Sequence, residues 1–341
     1  MNPVIRLEEP GRFVTLPASA PDKPGLGEAL IRVRRIGVCG TDIHAFGGRQ
    51  PFFTYPRILG HELGVEVLAV GDGVENVVLG DHCAVEPYLS CGHCIACRHG
   101  RTNCCASIKV LGVHVDGGMR EQFIIPASKL HKSSKLTLDQ LALVETLGIG
   151  CHAVGRGKVE AGEHALVIGA GPIGLSVIQF AVEAGAAVTV LDVNADRLAF
   201  CQHAMKVPHL IDAAKEDTME RLREITGGDL PTIVFDATGN PASMKAAFGY
   251  TAQGARLVFV GLFQGEVTFS DPDFHKRELT LLASRNSLPG EFERIIRLVE
   301  SGKVDTQPWI THRGALEAVP DEFPAWTRPE TGVIKAIIEV A

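Results

Sequence analysis

Short runs of apolar and β-branched residues, separated by turns that contain glycine, dominate the first part of the chain. Ala29 to Val33 and Gly64 to Val70 are such runs, and the turn Gly71-Asp72-Gly73 follows the second. Runs of this length between glycine turns are typical of β-strands. The pattern from Glu28 to about Val85 therefore predicts a strand-rich, irregular first domain.

The pattern changes after Leu136, where apolar residues recur at helical spacing around Leu141 to Val154. Beyond them, candidate strands and helices alternate up to about Ala283. The predicted strands are Ala165 to Ile168, Ala187 to Asp192, Thr232 to Ala237, Arg256 to Val260 and Leu279 to Ala283. Helical patterns between most of these strands favour a parallel, doubly wound sheet, and thus an α/β second domain.

Length and charge narrow the class of protein. A chain of 341 residues, 45% of them apolar, is expected to form two domains at about 150 residues each. The 33 basic and 40 acidic residues give a net charge of -7 without long runs of one sign, so nucleic acid is not an expected partner. The sequence shows no signal peptide and no run of roughly 18 uncharged apolar residues that would span a bilayer. We therefore expect a soluble, cytoplasmic protein with no membrane partner.

A glycine-rich turn joins the first predicted strand of the second domain to a helix. The segment HALVIGAGPIGL contains Gly169, Gly171 and Gly174, and an amphipathic helix follows from Leu175 to Ala184. In G-x-G-x-x-G the first glycine allows a tight turn, the second lets the backbone approach a pyrophosphate, and the third lets helix and strand pack closely. The turn therefore predicts a dinucleotide site at a helix N-terminus, with the intervening Pro172 and Ile173 among its contacts.

The next predicted strand ends on Asp192, at the spacing of about 20 residues where a carboxylate binds the adenosine ribose. Asp192 would repel a 2′-phosphate, which predicts NAD rather than NADP. Arg197 weakens this preference, because a nearby cation can accommodate the extra phosphate. Gly261, directly after the predicted strand Arg256 to Val260, is a further expected cofactor contact.

Five of the nine cysteines lie between residues 91 and 105. Cys91, Cys94, Cys97 and Cys105 give C-x2-C-x2-C-x7-C, four thiolates able to close a tetrahedron around zinc with no open position. This spacing predicts a structural zinc site in a reducing compartment rather than disulfides. Cys104 is a competing ligand, and an iron–sulfur cluster is the alternative metal group.

A second candidate metal site combines Cys39 in VCGTDIH, His61 and Glu62 in LGHE, and Glu145 in ALVETLG. One thiolate, one imidazole and one carboxylate leave the fourth position of zinc open for a substrate oxygen or water. An open zinc beside a nicotinamide lowers the pKa of a bound alcohol, and hydride then passes to the cofactor. We therefore interpret these residues as a catalytic site.

Two residues close to Cys39 are candidates for moving the proton of the alcohol. Thr41 and His44 follow Cys39 within the same short segment, so a hydroxyl near the metal and an imidazole nearer solvent could form a relay. In the alternative interpretation, Thr41 caps a helix while Asp42 and His44 are surface residues.

Taken in order, CGTDIH, GHE, the four-cysteine loop and VIGAGPIGL resemble the zinc-dependent medium-chain alcohol dehydrogenase family over nearly the whole chain. The resemblance implies a Rossmann sheet, residues 148–283, inserted into a partly open, GroES-like β-barrel catalytic domain, residues 1–147 and 284–341. It also implies that Cys39, His61 and Glu145 hold the catalytic zinc, with Glu62 beside them as an alternative ligand.

Further strings, including GGRQPFFTYPRILGHE, LGVHVDGG and SRNS, resemble the bacterial L-galactonate and L-gulonate 5-dehydrogenase branch. That resemblance implies oxidation of a hexonate at C5. A polyol or L-threonine is the alternative small-molecule substrate, and a non-catalytic NAD(H)-binding sensor is an alternative of another class. The family also places Arg285 at the active site, where it would help to bind the substrate carboxylate, either directly or by ordering water in the pocket. Arg49, Arg57 and Arg120 are rival partners for that group.

The apolar run LTLLAS at the end of the second domain bears on assembly. It is either an exposed edge strand or a buried internal strand. An exposed edge could pair across a two-fold axis and cover its unpaired backbone groups. This interpretation predicts a homodimer or homotetramer.

Overall fold

The structure is a computed structural model that describes residues 3–17 and 21–341. It divides into two compact units. Unit 1 runs up to Thr146 and resumes over Ser287–Ala341, whereas unit 2 comprises Leu147–Asn286. The second boundary therefore follows Asn286, while the sequence analysis placed it after residue 283.

In the first segment of unit 1 the strands are β1 (Pro3–Glu9), β2 (Arg12–Pro17), β3 (Glu28–Gly37), β4 (Glu62–Val70), β5 (His82–Val85), β6 (Tyr88–Leu89), β7 (Lys109–Val110), β8 (Gln122–Pro126) and β9 (Leu130–Lys132). The helices of that segment are α1 (Gly40–Phe46), α2 (Ile95–Arg98), α3 (Leu138–Ala142) and the start of α4 (Val144–Gly157). Unit 2 contains β10 (His164–Ile168), α5 (Pro172–Glu183), β11 (Ala187–Asp192), α6 (Ala195–His203), β12 (His209–Asp212), α7 (Thr218–Thr226), β13 (Ile233–Asp236), α8 (Pro241–Ala247), β14 (Arg256–Phe259), α9 (Asp271–Lys276) and β15 (Thr280–Ala283). The closing segment of unit 1 adds α10 (Pro289–Glu300), β16 (Ile310–Ala315), α11 (Val319–Trp326) and β17 (Lys335–Glu339).

Unit 1 is built on a seven-stranded sheet. Its strands follow the order β16-β17-β3-β4-β5-β9, and β8 pairs with β3 outside this row. Ala29, Ile31 and Val33 of β3 are fully buried, because alternate residues of a strand face the same side of the sheet. Two register shifts between β3 and β4 bend the sheet. Across residues 3–17 and 21–341 the row ends at β16 and β9 without closing, which confirms the predicted partly open architecture.

Unit 2 is a six-stranded parallel sheet in the order β12-β11-β10-β13-β14-β15, which confirms the predicted doubly wound fold. All five predicted strands are present. The strand β12 was not predicted, because its four residues HLID include only two apolar ones. From β10 the chain adds β11 and β12 on one side and then crosses to β13 on the other side of β10. The strand order reverses there, so a crevice is expected at the carboxyl ends of β10 and β13.

The run LTLLAS contributes the edge strand β15. Thr280, Leu281 and Ala283 are exposed in this chain, and 37% of Leu281 is accessible. The alternative of a buried internal strand is therefore wrong. As for membranes, none of the helices in the described residues has the length and apolar character needed to cross one.

Candidate functional site

The junction between β3 and α1 places the first candidate metal ligand. β3 ends at Gly37, and Cys39 is the N-cap of α1 with an extended backbone, φ -97° and ψ 157°. The Cys39 N–H donates a hydrogen bond of 2.9 Å to Oδ2 of Asp42. Thr41 is half-buried in the first turn of the helix. The alternative in which Thr41 caps this helix is wrong, because Cys39 occupies the cap position.

His61 and Glu62 lie where the chain enters β4. His61 is 5% exposed and Glu62 is fully buried. The sulfur of Cys39, a ring nitrogen of His61 and a carboxylate oxygen of Glu62 lie within 4.8 Å of one another. Donor atoms at these separations can bind one metal ion.

Asp42 is a site residue that the sequence analysis did not propose. It is fully buried, so its interpretation as a surface residue is wrong. Asp42 Oδ1 lies 3.8 Å from His61 Nδ1, and neither atom has a hydrogen-bond partner in the part of the chain that the structure describes. A carboxylate beside a ligating histidine fixes the tautomer and orientation of the ring. The available signal was the position of Asp42 three residues after the N-cap, where an acidic side chain binds the cap N–H.

Glu145 lies in the first turn of α4 and is 5% exposed. The hydroxyl of buried Tyr88 donates a hydrogen bond to Glu145 Oε1. Burial raises the pKa of Glu145, and the nearby His61 opposes this shift. Burial and the charge of Glu145 raise the pKa of Tyr88 well above its usual value, so the phenol remains a proton donor. Tyr88 escaped the sequence analysis because no recognisable motif contains it.

Lys335, the first residue of β17, was also missed. Its ammonium group is 1% exposed and lies 2.8 Å from each carboxylate oxygen of Glu62. It also donates to the carbonyl oxygen of Val38 at 3.2 Å and to Thr146 Oγ1 at 3.3 Å. Burial opposes the charge of Lys335, but Glu62 and Cys39 outweigh it and raise the pKa of the ammonium.

The chemistry of this buried cluster fits a divalent cation. One thiol and three carboxyl groups surround the single imidazole of His61. Burial alone would lower the pKa of His61, but Asp42, Cys39 and Glu145 raise it well above its usual value. A positive charge is therefore favoured at this place. Sulfur, nitrogen and oxygen donors together are typical of zinc.

The second candidate metal centre lies in the loop around α2. Its four sulfur atoms lie within 4.8 Å of one another and belong to Cys91, Cys94, Cys97 and Cys105. Backbone N–H groups of Cys91 and Ser107 point at the sulfur of Cys105, at 3.3 and 3.4 Å. Hydrogen bonds from the backbone at Cys97 and Ala106 lower the pKa of Cys94 to about 6, which favours the thiolate that binds metal.

Cys104 does not join this set. Its side chain is exposed, whereas Cys105 is buried. All nine cysteines are free thiols. The structure thus brings together the four cysteines that the sequence spacing selected, and it separates Cys104 from them.

The glycine turn after β10 has the form expected for a dinucleotide site. Gly169 has a φ of 95°, and a Cβ on Gly174 would lie 1.7 Å from the carbonyl oxygen of Gly169. Packing within the chain therefore requires glycine at both positions. A Cβ on Gly171 would meet only Arg197 Nη1, at 3.8 Å. Glycine at 171 leaves open space at the start of α5, where a pyrophosphate is expected.

Asp192 ends β11 beside this turn. Its Oδ2 accepts a hydrogen bond of 2.6 Å from the N–H of Ala170, and its Oδ1 accepts one of 2.8 Å from the N–H of Asn194. These contacts hold the carboxylate where the sequence analysis expects the ribose. A Cβ on Gly261 would lie 2.2 Å from the nitrogen of Gly239. Close packing against Gly239 therefore requires glycine at position 261. The contact of Gly261 with the cofactor remains a prediction.

The two residues of the predicted proton relay lie on α1. Thr41 is in its first turn, and His44 is an exposed residue of its last turn. Partial burial, followed by the charge of Arg49, lowers the pKa of His44. The backbone N–H of Arg49 donates to the carbonyl oxygen of His44 at 2.8 Å. A lowered pKa keeps the imidazole neutral near pH 7, so it can accept a proton.

The candidate substrate arginines differ in their surroundings. Arg120 stacks over Phe123, with 4.4 Å between guanidinium carbon and ring centre, and it donates to the carbonyl oxygen of Asp116 at 3.3 Å. Arg57 forms an ion pair of 3.3 Å with the Asp116 carboxylate. Arg285 belongs to unit 2, where it is exposed just after β15. Arg57 and Arg120 therefore have local structural roles in unit 1.

Comparisons with known proteins place this fold and these sites in a family. The alcohol dehydrogenase GroES-like domain matches residues 25–135, and the zinc-binding dehydrogenase domain matches residues 172–301. L-galactonate-5-dehydrogenase of Escherichia coli (strain K12) is 41% identical over 92% of this chain and 92% of its own. The chain therefore belongs to the zinc-type alcohol dehydrogenase family, as the sequence resemblance predicted. Membership of this family makes the protein an oxidoreductase of the alcohol dehydrogenase type.

Other relatives act on different substrates. L-threonine 3-dehydrogenase of Pyrococcus horikoshii is 31% identical over 91% of this chain and 90% of its own. Sorbitol dehydrogenase of Bacillus subtilis (strain 168) is 32% identical over 86% of this chain and 85% of its own.

Solved structures share the whole fold. An alcohol dehydrogenase, rspB, from E. coli CFT073, complexed with NADH, superposes with a TM-score of 0.92 at 29% identity and covers 99% of both chains. A candidate zinc-binding dehydrogenase from Sinorhizobium meliloti 1021, bound to NADP, gives a TM-score of 0.91 at 28% identity over 99% of both chains.

Proposed function

We propose that this enzyme oxidises a secondary hydroxyl of a sugar acid, a hexonate such as L-galactonate or L-gulonate at C5, to the keto acid. The observation that carries this proposal is the 41% identity to L-galactonate-5-dehydrogenase across 92% of both chains. Identity to the threonine and sorbitol enzymes is 31% and 32%. A polyol or L-threonine is therefore the second candidate substrate.

We infer that the chain binds two zinc ions, one structural in the four-cysteine loop and one catalytic in the buried cluster. The donor sets support this, because four thiolates close a tetrahedron whereas thiolate, imidazole and one carboxylate leave a position open. When bound, the catalytic ion polarises the substrate hydroxyl. Around it, Asp42 orients His61, while Thr41 and His44 conduct the released proton towards solvent.

NAD is the proposed hydride acceptor. The carboxylate of Asp192, held by two backbone N–H groups, can accept hydrogen bonds from ribose hydroxyls and would repel a 2′-phosphate. The guanidinium of Arg197 near Gly171 is the feature that would favour NADP instead. Cofactor kinetics on the Asp192 variant described below decide between the two.

Two further features support our proposals for the oligomeric state of the protein and for its cellular compartment. The exposed edge strand β15 supports a homodimer or homotetramer in which two copies pair through this edge. The grouping of four cysteines as a zinc site rather than as disulfides supports a reducing compartment, and thus the cytoplasm. The molar mass in solution of wild type and Leu281→Lys tests the assembly, since a charge on the edge strand should separate the copies.

A substrate panel tests the proposed reaction. NAD reduction is followed with a set of hexonates, their corresponding polyols and L-threonine. We expect the highest kcat/KM for a hexonate. Preference of the wild-type enzyme for a neutral polyol or for L-threonine would refute the sugar-acid assignment.

Arg285 is the proposed partner of the substrate carboxylate. A guanidinium offers two parallel hydrogen bonds to a carboxylate, each worth about 1.5 to 3 kcal/mol, so its loss should raise KM by about tenfold or more. We expect Arg285→Ala and Arg285→Lys to impair a hexonate more than the corresponding polyol. Equal losses on both substrates would remove Arg285 from carboxylate recognition.

A further inference from the structure

Two buried carboxylates, those of Glu62 and Glu145, are candidate ligands of the proposed catalytic ion. Glu62, at the start of β4, lies within 4.8 Å of the donor atoms of Cys39 and His61. Glu145 is buried and its charge acts on the same imidazole, but the set of donor atoms within 4.8 Å of one another contains Glu62 and not Glu145. If both carboxylates bound together with Cys39 and His61, four protein ligands would close the site. A dehydrogenase site needs an open position, so one carboxylate must be kept off the metal.

Lys335 engages both oxygens of Glu62. The distances are 2.8 Å to Oε1 and 2.8 Å to Oε2, in a pair that is almost fully buried. The remaining contacts of the ammonium go to Val38 and Thr146, so it is fully hydrogen-bonded. If Glu62 moved to a metal ion, it would leave a buried ammonium without its counter-ion next to a divalent cation. Loss of one partner from a buried ion pair is strongly unfavourable.

The backbone around Glu62 is shaped for this position. Gly37, at the end of β3, has no side chain where a Cβ would lie 2.0 Å from Glu62 Oε2. Any larger residue at 37 would displace the carboxylate. Gly37 and Lys335 lie on adjacent strands, since β17 pairs with β3. The position of Glu62 beside Lys335 is therefore built into the sheet.

Glu145 has a different partner. The phenol of Tyr88 donates to Oε1 only, and this donor is neutral. Glu145 can therefore offer its second oxygen to a metal without breaking an ion pair. The Tyr88 hydrogen bond would meanwhile hold the carboxylate in one orientation, as partners of ligating carboxylates do.

From these contacts we propose that Lys335 and Tyr88 sort the two carboxylates: Lys335 holds Glu62 off the metal, and Tyr88 presents Glu145 to it. Both are positioning residues, and the open position of the ion depends on Lys335. The inference rests on the catalytic metal site proposed above and does not depend on which alcohol is the substrate.

The test uses the full-length enzyme with Co²⁺ in place of the catalytic zinc. The visible spectrum of Co²⁺ reports its coordination, and added imidazole changes that spectrum only where a position is open. In Lys335→Met, the released Glu62 should close the site. We expect the spectrum to lose its response to imidazole, and release of Co²⁺ to a chelator to slow by about tenfold or more. Lys335→Met/Glu62→Gln should regain the response.

Lys129→Met is the matched control. It also removes a lysine from a buried carboxylate, since Lys129 pairs with Glu86 at 2.5 Å in the same unit. We expect this variant to keep the wild-type spectrum and release rate. A Lys335→Met enzyme that responds to imidazole and releases Co²⁺ like the wild type would overturn the proposal.

Two further variants decide the question if Lys335→Met does not fold. Glu62→Gln should retain Co²⁺ and its response to imidazole, whereas Glu145→Gln should lose most of the bound ion. The reverse pattern would show that Glu62 is the ligand and would overturn the proposal. A wild-type chain that binds no ion at Cys39 and His61 would instead refute the catalytic metal site itself. For Tyr88→Phe we expect faster metal release, by about tenfold, with the response to imidazole preserved.

Discussion

The four-cysteine loop and the buried Cys39–His61 cluster, both in unit 1, are candidate metal sites built in opposite ways. The loop takes all four sulfur ligands from residues 91–105, and backbone N–H groups of Cys91 and Ser107 donate to one of them. The cluster draws its groups from the junction of β3 and α1, the start of β4, the first turn of α4 and the start of β17, which are far apart in the sequence. Metal in the loop should therefore stabilise local structure, whereas metal in the cluster should serve the reaction.

The largest expected effect is the loss of stability caused by removing a zinc ligand from the four-cysteine loop. Cys94→Ala removes one of four ligands from a segment with little apolar material, and structural zinc can contribute about 10 kcal/mol of apparent binding free energy to folding. We expect a Tm lowered by more than about 5 °C, with loss of one zinc. Circular dichroism on heating and metal analysis measure both quantities. Cys104→Ala, which removes the adjacent exposed cysteine, should behave like the wild type. A stable Cys94→Ala protein would contradict a structural role for this loop.

The difference between the sites also explains what could be predicted from sequence. Cys91, Cys94, Cys97 and Cys105 share one short segment, so their spacing alone defined the site. The glycine turn at 169–174 was predictable for the same reason, because strand, turn and helix are contiguous. Cys39 and His61 of the buried cluster were also predicted, because each lies in a recognisable sequence motif.

The supporting residues of the cluster could not be predicted. Tyr88 and Lys335 reach it only through the packing of β6 and β17, and neither belongs to a local pattern that implies the contact. Asp42 was considered only in the alternative interpretation, as a surface residue, because a polar residue on a short helix gives no sign of burial. The strand β12 was missed because its neighbours in the sheet, rather than its own four residues, determine its conformation.

A substitution in unit 2 sharpens the comparison, because it should leave both metal sites intact. Asp192→Ala removes the carboxylate expected to bind the ribose, and charged hydrogen bonds contribute about 1.5 to 3 kcal/mol each. We expect the KM for NAD to rise by about tenfold or more and the preference over NADP to narrow. Steady-state kinetics with both cofactors measure this. Unchanged selectivity would refute the assignment of Asp192.

The smallest expected effect concerns proton exit from the buried cluster. Because the pKa of His44 is lowered, its imidazole is neutral above that pKa and loses its capacity as a proton acceptor only as the pH falls through it. At high pH, hydroxide can take the proton directly. His44→Ala should therefore slow alcohol oxidation most between the lowered pKa of His44 and neutral pH, by about tenfold, below the usual range for a direct acid–base group. A pH–rate profile superimposable on that of the wild type would exclude His44 from the relay.

The most direct test of the two-site account measures zinc content, Tm and turnover on the same preparation of Cys39→Ala. Cys39 caps α1 directly after β3, an internal strand of the unit 1 sheet. The account predicts two zinc ions in the wild-type chain and one in the variant, a Tm within a few degrees of the wild type because strands of the sheet flank the site, and no measurable turnover. Loss of both ions, a Tm as low as that of Cys94→Ala, or retained turnover would contradict it.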